Sequence, residues 1–315
     1  MKILFAGTPA IAVPALAALT ETGLTAAVLT NPDRPSGRKR IPEPSPVKQF
    51  AQEHGLEIFQ PESISGELIQ EIRTKGFDTL ITFAYGKIFR ENFLSIFTGG
   101  AFNIHPSLLP RHRGASPINA AILAGDRETG ISIQKMALKM DSGDIVMQMR
   151  FPLNGTETAQ SLSEDVAAKT AAMIPEFITK LQTGTLSGNP QDDSMATYCR
   201  IISKEEGKID WKLDAAAIEQ NIRGFFPWPG TYTQAGDRTL TITKASVYAG
   251  TAFRDESVQP GTVLGTDKGR GIIIQTGKGL LAVERVKPQA KNEMDWKSFL
   301  NGAKNFTGTV LGDIT

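Results

Sequence analysis

The strongest constraint on this chain is an alternation that starts at its second residue. Residues 2–6 form a short apolar run closed by Gly7, and 9–18 then space apolar side chains at helical intervals, which reads as strand, tight turn, helix. The alternation continues with a strand over 26–30, a helix over 47–54, a short strand over 55–59, a helix over 66–75 and a strand over 79–84. Strands separated by helices close through right-handed crossovers and build a parallel sheet. Further strands are expected near 101–105, 130–136 and 145–153, with a helix over 117–123. The pattern predicts an α/β domain.

The character changes after a helix expected over 159–181, whose apolar residues are assigned to the core. Residues 183–194 are rich in Gly, Ser, Thr, Asn and Asp and read as a linker. From 230 onward, short β-type runs at 239–245, 261–264, 271–275 and 280–286 are separated by Gly, Asp and Pro, which suggests a small antiparallel barrel or sandwich. The expected division is 1–187 for the first domain, 188–207 for the linker and 208–315 for the second. A length of 315 residues fits two domains at about 150 residues each.

Composition excludes several classes. Hydrophobic residues make up 40% and charged residues 21%, enough apolar side chain for a substantial core. The formal net charge is +1, so any attraction to nucleic acid must come from a local surface. The one cysteine, Cys199, rules out an internal disulfide framework and multi-thiolate metal sites. His54, His105 and His112 lack ligand spacing with one another, and no metal is expected. The opening apolar run is too short for a secretion signal, and no stretch approaches the about 20 apolar residues of a membrane helix. A cytoplasmic location with no membrane partner is expected.

Parallel sheets bind ligands beyond the carboxyl ends of their strands, so polar residues there come first. In Phe102-Asn103-Ile104-His105-Pro106, Asn103 and His105 stand two apart and share one face, while Ile104 faces the other way. A carboxamide beside an imidazole can hold a carbonyl oxygen as it becomes an oxyanion. A hydrogen-bonded histidine at a sheet edge would give the same pattern. The Pro-rich segment 106–117 offers stiff backbone amides and carbonyls for the polar edge of a planar heterocycle; otherwise it is an ordinary crossover with two exposed arginines. Met140-Asp141-Ser142-Gly143-Asp144 reads as a turn. From it Asp141 is chosen to face His105, favouring the charged imidazolium and helping to move protons, with Asp144 as a possible turn former.

Two motifs are absent: Gly7-Thr8-Pro9 lacks the spacing of a dinucleotide-binding turn, and there is no Walker loop. Residues 31–46 are long for a connection and carry Arg34, Arg38, Lys39 and Arg40 against Asp33 and Glu43. On the same sheet edge as His105, this segment can reach the phosphates of a nucleic acid, or be only a solvated loop. Lysines and arginines also predominate in the last fifty residues, which suggests a basic face there. Trp211 and Trp228 are assigned to packing between the domains ahead of base stacking.

Taken in order, Phe5-Ala6-Gly7-Thr8-Pro9, Pro32-Asp33-Arg34-Pro35-Ser36-Gly37-Arg38, Asn103-Ile104-His105-Pro106-Ser107-Leu108-Leu109-Pro110, Arg113-Gly114-Ala115-Ser116-Pro117-Ile118, Asp141-Ser142-Gly143-Asp144 and Pro227-Trp228-Pro229-Gly230 closely resemble the methionyl-tRNA formyltransferase family. The resemblance implies a Rossmann-like parallel-sheet domain followed by a smaller OB-type β-barrel. It implies transfer of the formyl group of 10-formyltetrahydrofolate to the α-amino group of methionyl initiator tRNA; a monomer is expected. The family's catalytic residues fall on Asn103, His105 and Asp141. Its folate contacts fall on Ser107, Leu108, Leu109 and Pro110, with Tyr85 and Gly86 beside them, and its tRNA contacts on Arg34, Arg38, Lys39 and Arg40. The rival readings are formylation of an amino sugar nucleotide or of glycinamide ribonucleotide, and a non-catalytic folate- or RNA-binding module.

Overall fold

The computed structural model describes residues 1–36, 41–250, 253, 257–303 and 305–312. The chain divides into two compact units, the first comprising 1–117, 128–152 and 162–200, the second 118–127, 153–161 and 201–315. The first unit therefore takes in residues 188–200 of the segment expected as a linker.

In chain order the first part of the molecule contains β1 (Ile3–Gly7), α1 (Val13–Glu21), β2 (Thr25–Leu29), β3 (Arg34–Ser36), β4 (Ile41–Glu43), α2 (Pro46–Glu53), β5 (Glu57–Phe59), α3 (Gly66–Thr74), β6 (Thr79–Phe83), α4 (Glu91–Leu94) and β7 (Gly100–His105). It continues with β8 (Arg113–Gly114), α5 (Pro117–Leu123), β9 (Glu128–Lys135), β10 (Ile145–Pro152), α6 (Ala159–Gln182) and β11 (Tyr198–Cys199). Helices α2 and α3 start where the sequence supplies caps: Ser45 Oγ accepts from the Lys48 amide ahead of Pro46, and Ser65 Oγ from the Leu68 amide.

Seven strands form one sheet in the order β10-β9-β7-β6-β1-β2-β5. The run from β5 to β7 is parallel, whereas β9 is antiparallel to β7 and β10 to β9. The expected parallel sheet is thus mostly parallel, with an antiparallel extension. Only a turn joins β9 to β10, and a connection without a crossover helix can return the chain only in the opposite direction. Ile3, Leu4, Phe5, Leu80 and Ile81 are wholly buried, as expected for central parallel strands covered on both faces. The carboxyl ends of β2, β1, β6 and β7 share one edge, with β2, from which the chain runs into the β3–β4 hairpin, roughly 14 Å from β7 at three interstrand spacings.

The second unit contains α7 (Ala215–Gly224), β12 (Thr231–Ala235), β13 (Arg238–Tyr248), β14 (Val263–Asp267), β15 (Gly271–Gln275), β16 (Leu280–Pro288), β17 (Met294–Asp295) and α8 (Trp296–Gly302). Its strands pair antiparallel in the order β12-β13-β16-β15-β14, with β17 on β16. Trp211, Ile218, Ile242, Val263 and Ile272 form its core. Trp211 is therefore a core residue of this unit, not the interdomain contact expected. Its indole N–H donates to Thr233 Oγ1 at 3.0 Å, while Trp228 is exposed. Of the basic side chains here, Arg285 pairs with Glu293 and Lys244 with Glu284.

Candidate active site

Strand β7 carries Asn103 and His105 to the sheet's carboxyl edge on one face, with Ile104 between them buried on the other side. Asn103 lies opposite Gln134 and His105 opposite Ser132, both on β9. The turn after β9 brings Asp141 back over this end of β7. Asp141 Oδ1 accepts from Asn103 Nδ2 at 3.2 Å and from Gln134 Nε2 at 2.9 Å, and Oδ2 accepts from the Gly114 amide at 2.8 Å. His105 Nδ1 faces the same Oδ2 at 3.7 Å. Asp144, the other acidic residue of the turn, points to Lys135 Nζ at 3.5 Å.

His105 is 4% exposed, and its Nε2 lies 2.9 Å from the main-chain oxygen of His112. A carbonyl oxygen only accepts, so Nε2 carries a proton and donates it. Burial holds the imidazole below its ordinary value of 6.5, opposed by Asp141 and by the bond to His112. At neutral pH the ring is therefore neutral, with the proton on Nε2 and a lone pair on Nδ1. This corrects the expected imidazolium: burial removes more from the charged form than one carboxylate at 3.7 Å restores.

The loop from Ser107 to His112 uses its polar groups on itself. Ser107 Oγ donates to Arg111 O at 2.6 Å, Ser107 O accepts from Ser132 Oγ at 2.7 Å, and Leu108 O accepts from the Arg111 amide at 3.0 Å. Leu109 sits across a cis peptide bond from Pro110; its amide donates to Ser132 Oγ and its oxygen accepts from Gln148 Nε2. Pro110 O accepts from the Thr197 amide. The segment expected to present open backbone groups to a heterocycle is first of all a rigid wall. Its carbonyl oxygens keep only a second lone pair for a ligand.

Arg113, read as one of two exposed arginines, is wholly buried. Its Nη1 lies 2.8 Å from Asp193 Oδ1, and its Nε and Nη2 donate to Gln191 Oε1 at 3.1 and 2.7 Å. Gly114 follows at φ +122°, and β8 pairs there with β11 so tightly that a Cβ would lie 2.0 Å from Cys199 O. Only glycine permits both that backbone conformation and that approach.

The remaining predicted residues are dispersed. The Tyr85 side chain packs in the core under α3 and α4, stacked on Phe89, so only its main chain reaches the rim, where its oxygen accepts from Asn31 Nδ2 at 2.8 Å. Gly86 follows at φ +82°. Arg34 is exposed on the β3–β4 hairpin, 3.9 Å from Glu62. Arg38, Lys39 and Arg40 lie outside the described residues. Among the described residues no group of three or more His, Cys, Asp and Glu side chains is placed to hold a metal ion, and no helix is long and apolar enough to cross a membrane.

Two residues of the cluster escaped sequence reading. Gln134 is a buried carboxamide in the apolar run Gly130-Ile131-Ser132-Ile133-Gln134, and a polar side chain in such a strand is itself a signal. Gln191 lies in the Gly- and Asp-rich stretch, where nothing local distinguishes it.

Residues 1–178 match the formyl transferase family and residues 201–304 the formyl transferase C-terminal domain family. The chain is 41% identical to the methionyl-tRNA formyltransferase of Treponema denticola over 97% of this chain and 98% of that one. It is 38% identical to the methionyl-tRNA formyltransferase of Geobacter metallireducens over 99% of each. Among solved structures, a sugar 3N-formyl transferase, WlaRD, crystallised in the presence of dTDP and 5-N-formyl-THF, superposes with a TM-score of 0.66 at 19% identity, covering 93% of this chain and 99% of that one.

Proposed function

Because this chain belongs to the formyl transferase family, we propose that it transfers the formyl group of 10-formyltetrahydrofolate to the α-amino group of methionyl initiator tRNA. The observation that carries the reading is full-length identity of 38–41% to methionyl-tRNA formyltransferases. The likeness to a sugar formyl transferase extends to the fold alone.

The amine nitrogen attacks the formyl carbon, the carbonyl electron pair moves to oxygen, and collapse of the adduct expels the folate nitrogen, which takes up the proton the amine gives up. Asn103 spends one amide hydrogen on Asp141; the second is the donor to the developing oxyanion, an interaction worth about 3 kcal/mol for one well-placed donor. Neutral His105, with Nε2–H committed to His112, has Nδ1 as its base. It accepts the amine's proton, and Asp141 stabilises the cation that forms.

Ser107, Leu108, Leu109 and Pro110, with the main chain of Tyr85 and Gly86, form the wall against which the folate sits. Arg34, Arg38, Lys39 and Arg40 meet the tRNA acceptor end. The first unit, which takes in residues up to 200, carries the transfer chemistry, and residues 208–315 bind tRNA through an OB-type barrel. The enzyme acts as a monomer in the cytoplasm. Incubation with 10-formyltetrahydrofolate labelled in its formyl group and charged initiator tRNA tests the reading: label on the methionyl amine supports it, and label left wholly on the folate overturns it.

A further inference from the structure

We propose that Gln191 is a positioning residue for formyl transfer, acting as the clamp that holds the Asp141 turn over Asn103 and His105; its catalytic consequence rests on the function proposed above. Asp141 lies at φ +49°, a left-handed conformation that a non-glycine residue keeps only when its surroundings enforce it. The Asp141 carboxylate is held by Asn103, Gln134 and Gly114, and the main chain of the turn is held by one side chain. Gln191 Nε2 lies 2.9 Å from Asp141 O, 2.7 Å from Gly143 O and 3.3 Å from Gln134 Oε1, so it engages both ends of the turn and the carboxamide beneath it.

The other end of Gln191 is fixed as firmly. Its Oε1 accepts both the Nε and Nη2 hydrogens of Arg113, whose buried guanidinium is itself anchored by Asp193 and by Tyr198 Oη at 3.4 Å. Two acceptor-only carbonyls on one side and a donor-only guanidinium on the other leave one orientation for the carboxamide. Gly143 fits this packing because a Cβ there would lie 1.9 Å from Lys135 O. Gln191 therefore links the buried guanidinium of Arg113 to the turn that carries Asp141.

Gln191→Glu separates clamp from anchor. A carboxylate would pair with Arg113 better than the amide does, but it has no hydrogen for Asp141 O or Gly143 O and repels both. If Gln191 served only to satisfy Arg113, this variant would keep full activity. Gln191→Leu, which loses both functions, is the companion. Kinetic constants for both substrates, thermal midpoints and the NMR titration of the His105 ring are compared with the parent. Expected in Gln191→Glu are a fall in kcat of about tenfold or more with both KM values within about twofold and a midpoint nearer the parent's than that of Gln191→Leu; expected in Gln191→Leu is a displaced His105 titration. His105 is faced by Asp141 and by His112; Gln191→Glu adds a negative charge of its own to the cluster, so it is the titration in Gln191→Leu, where no charge is added, that reports movement of the carboxylate. Parental kcat in Gln191→Glu overturns the proposal, as does an undisturbed His105 titration in Gln191→Leu. Should the parent transfer no formyl group to methionyl-tRNA, the function falls while the His105 titration still decides the clamp.

Discussion

The Nε2 hydrogen of His105 is given to the main-chain oxygen of His112 at 2.9 Å, which leaves Nδ1, opposite Asp141, as the ring's only uncommitted nitrogen. The histidine is thereby fixed in one tautomer by its own loop.

That commitment separates turnover from binding. His105→Ala is expected to lower kcat about a hundredfold or more while KM for tRNA changes less than about threefold, whereas Arg38→Ala should mainly raise KM for tRNA. Steady-state kinetics at fixed salt decide it, and equal effects on both parameters from both variants refute the division.

Exchange of one atom in the acidic turn should be costly. Asp141→Asn leaves a single acceptor oxygen where three N–H groups converge, from Asn103, Gln134 and Gly114. A loss of about 1–3 kcal/mol in unfolding free energy is expected, together with a kcat lower by about a hundredfold. Urea unfolding and single-turnover assays measure the two, and a parental stability would mean that the turn is held without the carboxylate.

Acidity should weaken the fold through His105. The folded ring sits below 6.5, so between the folded value and 6.5 the unfolded chain binds the extra proton and stability rises with pH. This contribution is complete above about pH 6.5 and is lost as pH falls below it. His105→Gln removes it, so its thermal midpoint should fall less steeply than the parent's from about pH 6.5 to 5. Parallel slopes would place the acid sensitivity elsewhere.

Tyr85 offers a cleaner test of the folate wall. Its hydroxyl is buried with no partner among the described residues, and burial pushes the phenol up to about 12. Tyr85→Phe should leave stability unchanged or raise it by about 1 kcal/mol, with donor KM within about twofold of the parent. A clear rise in donor KM would show that the hydroxyl itself meets the folate.

Gly114→Ala forces a Cβ against Cys199 O in a backbone conformation that side chains rarely adopt. Destabilisation of about 3 kcal/mol or more is expected, measured as a lowered thermal midpoint. A midpoint within a degree or so of the parent's would mean that β8 and β11 separate without cost, on a scale where 1 kcal/mol moves small domains by several degrees.

The seven strands of the large sheet and helices α1, α2, α3 and α6 were readable because buried strands and amphipathic helices write their periods into the sequence, whereas the short β3, β4, β8 and β11 and helix α4 were not. The reversal of β9 and β10 was not, since periodicity carries no direction; the missing crossover helix hinted at it for β10, whereas α5 stands between β7 and β9 and suggested the opposite. Asn103 and His105 were legible as a pair because a strand's period places both on one face. Their protonation was not: the sequence names Asp141 as a neighbour, but the depth of burial that outweighs it is a property of the packed fold. Arg113 misled for a similar reason, because a guanidinium next to Arg111 reads as solvated until Asp193 and Gln191 are seen to enclose it. Gln191 lies fifty residues from the turn it holds, with no local pattern to announce it.

That separation orders events during synthesis on a ribosome. All seven strands of the large sheet lie amino-terminal to Gln191, so the side chain that holds the acidic turn is made after every strand of that sheet. A polypeptide ending at α6 would hold Asn103, His105 and Asp141 in its sequence yet lack the carboxamide that engages Asp141 O and Gly143 O.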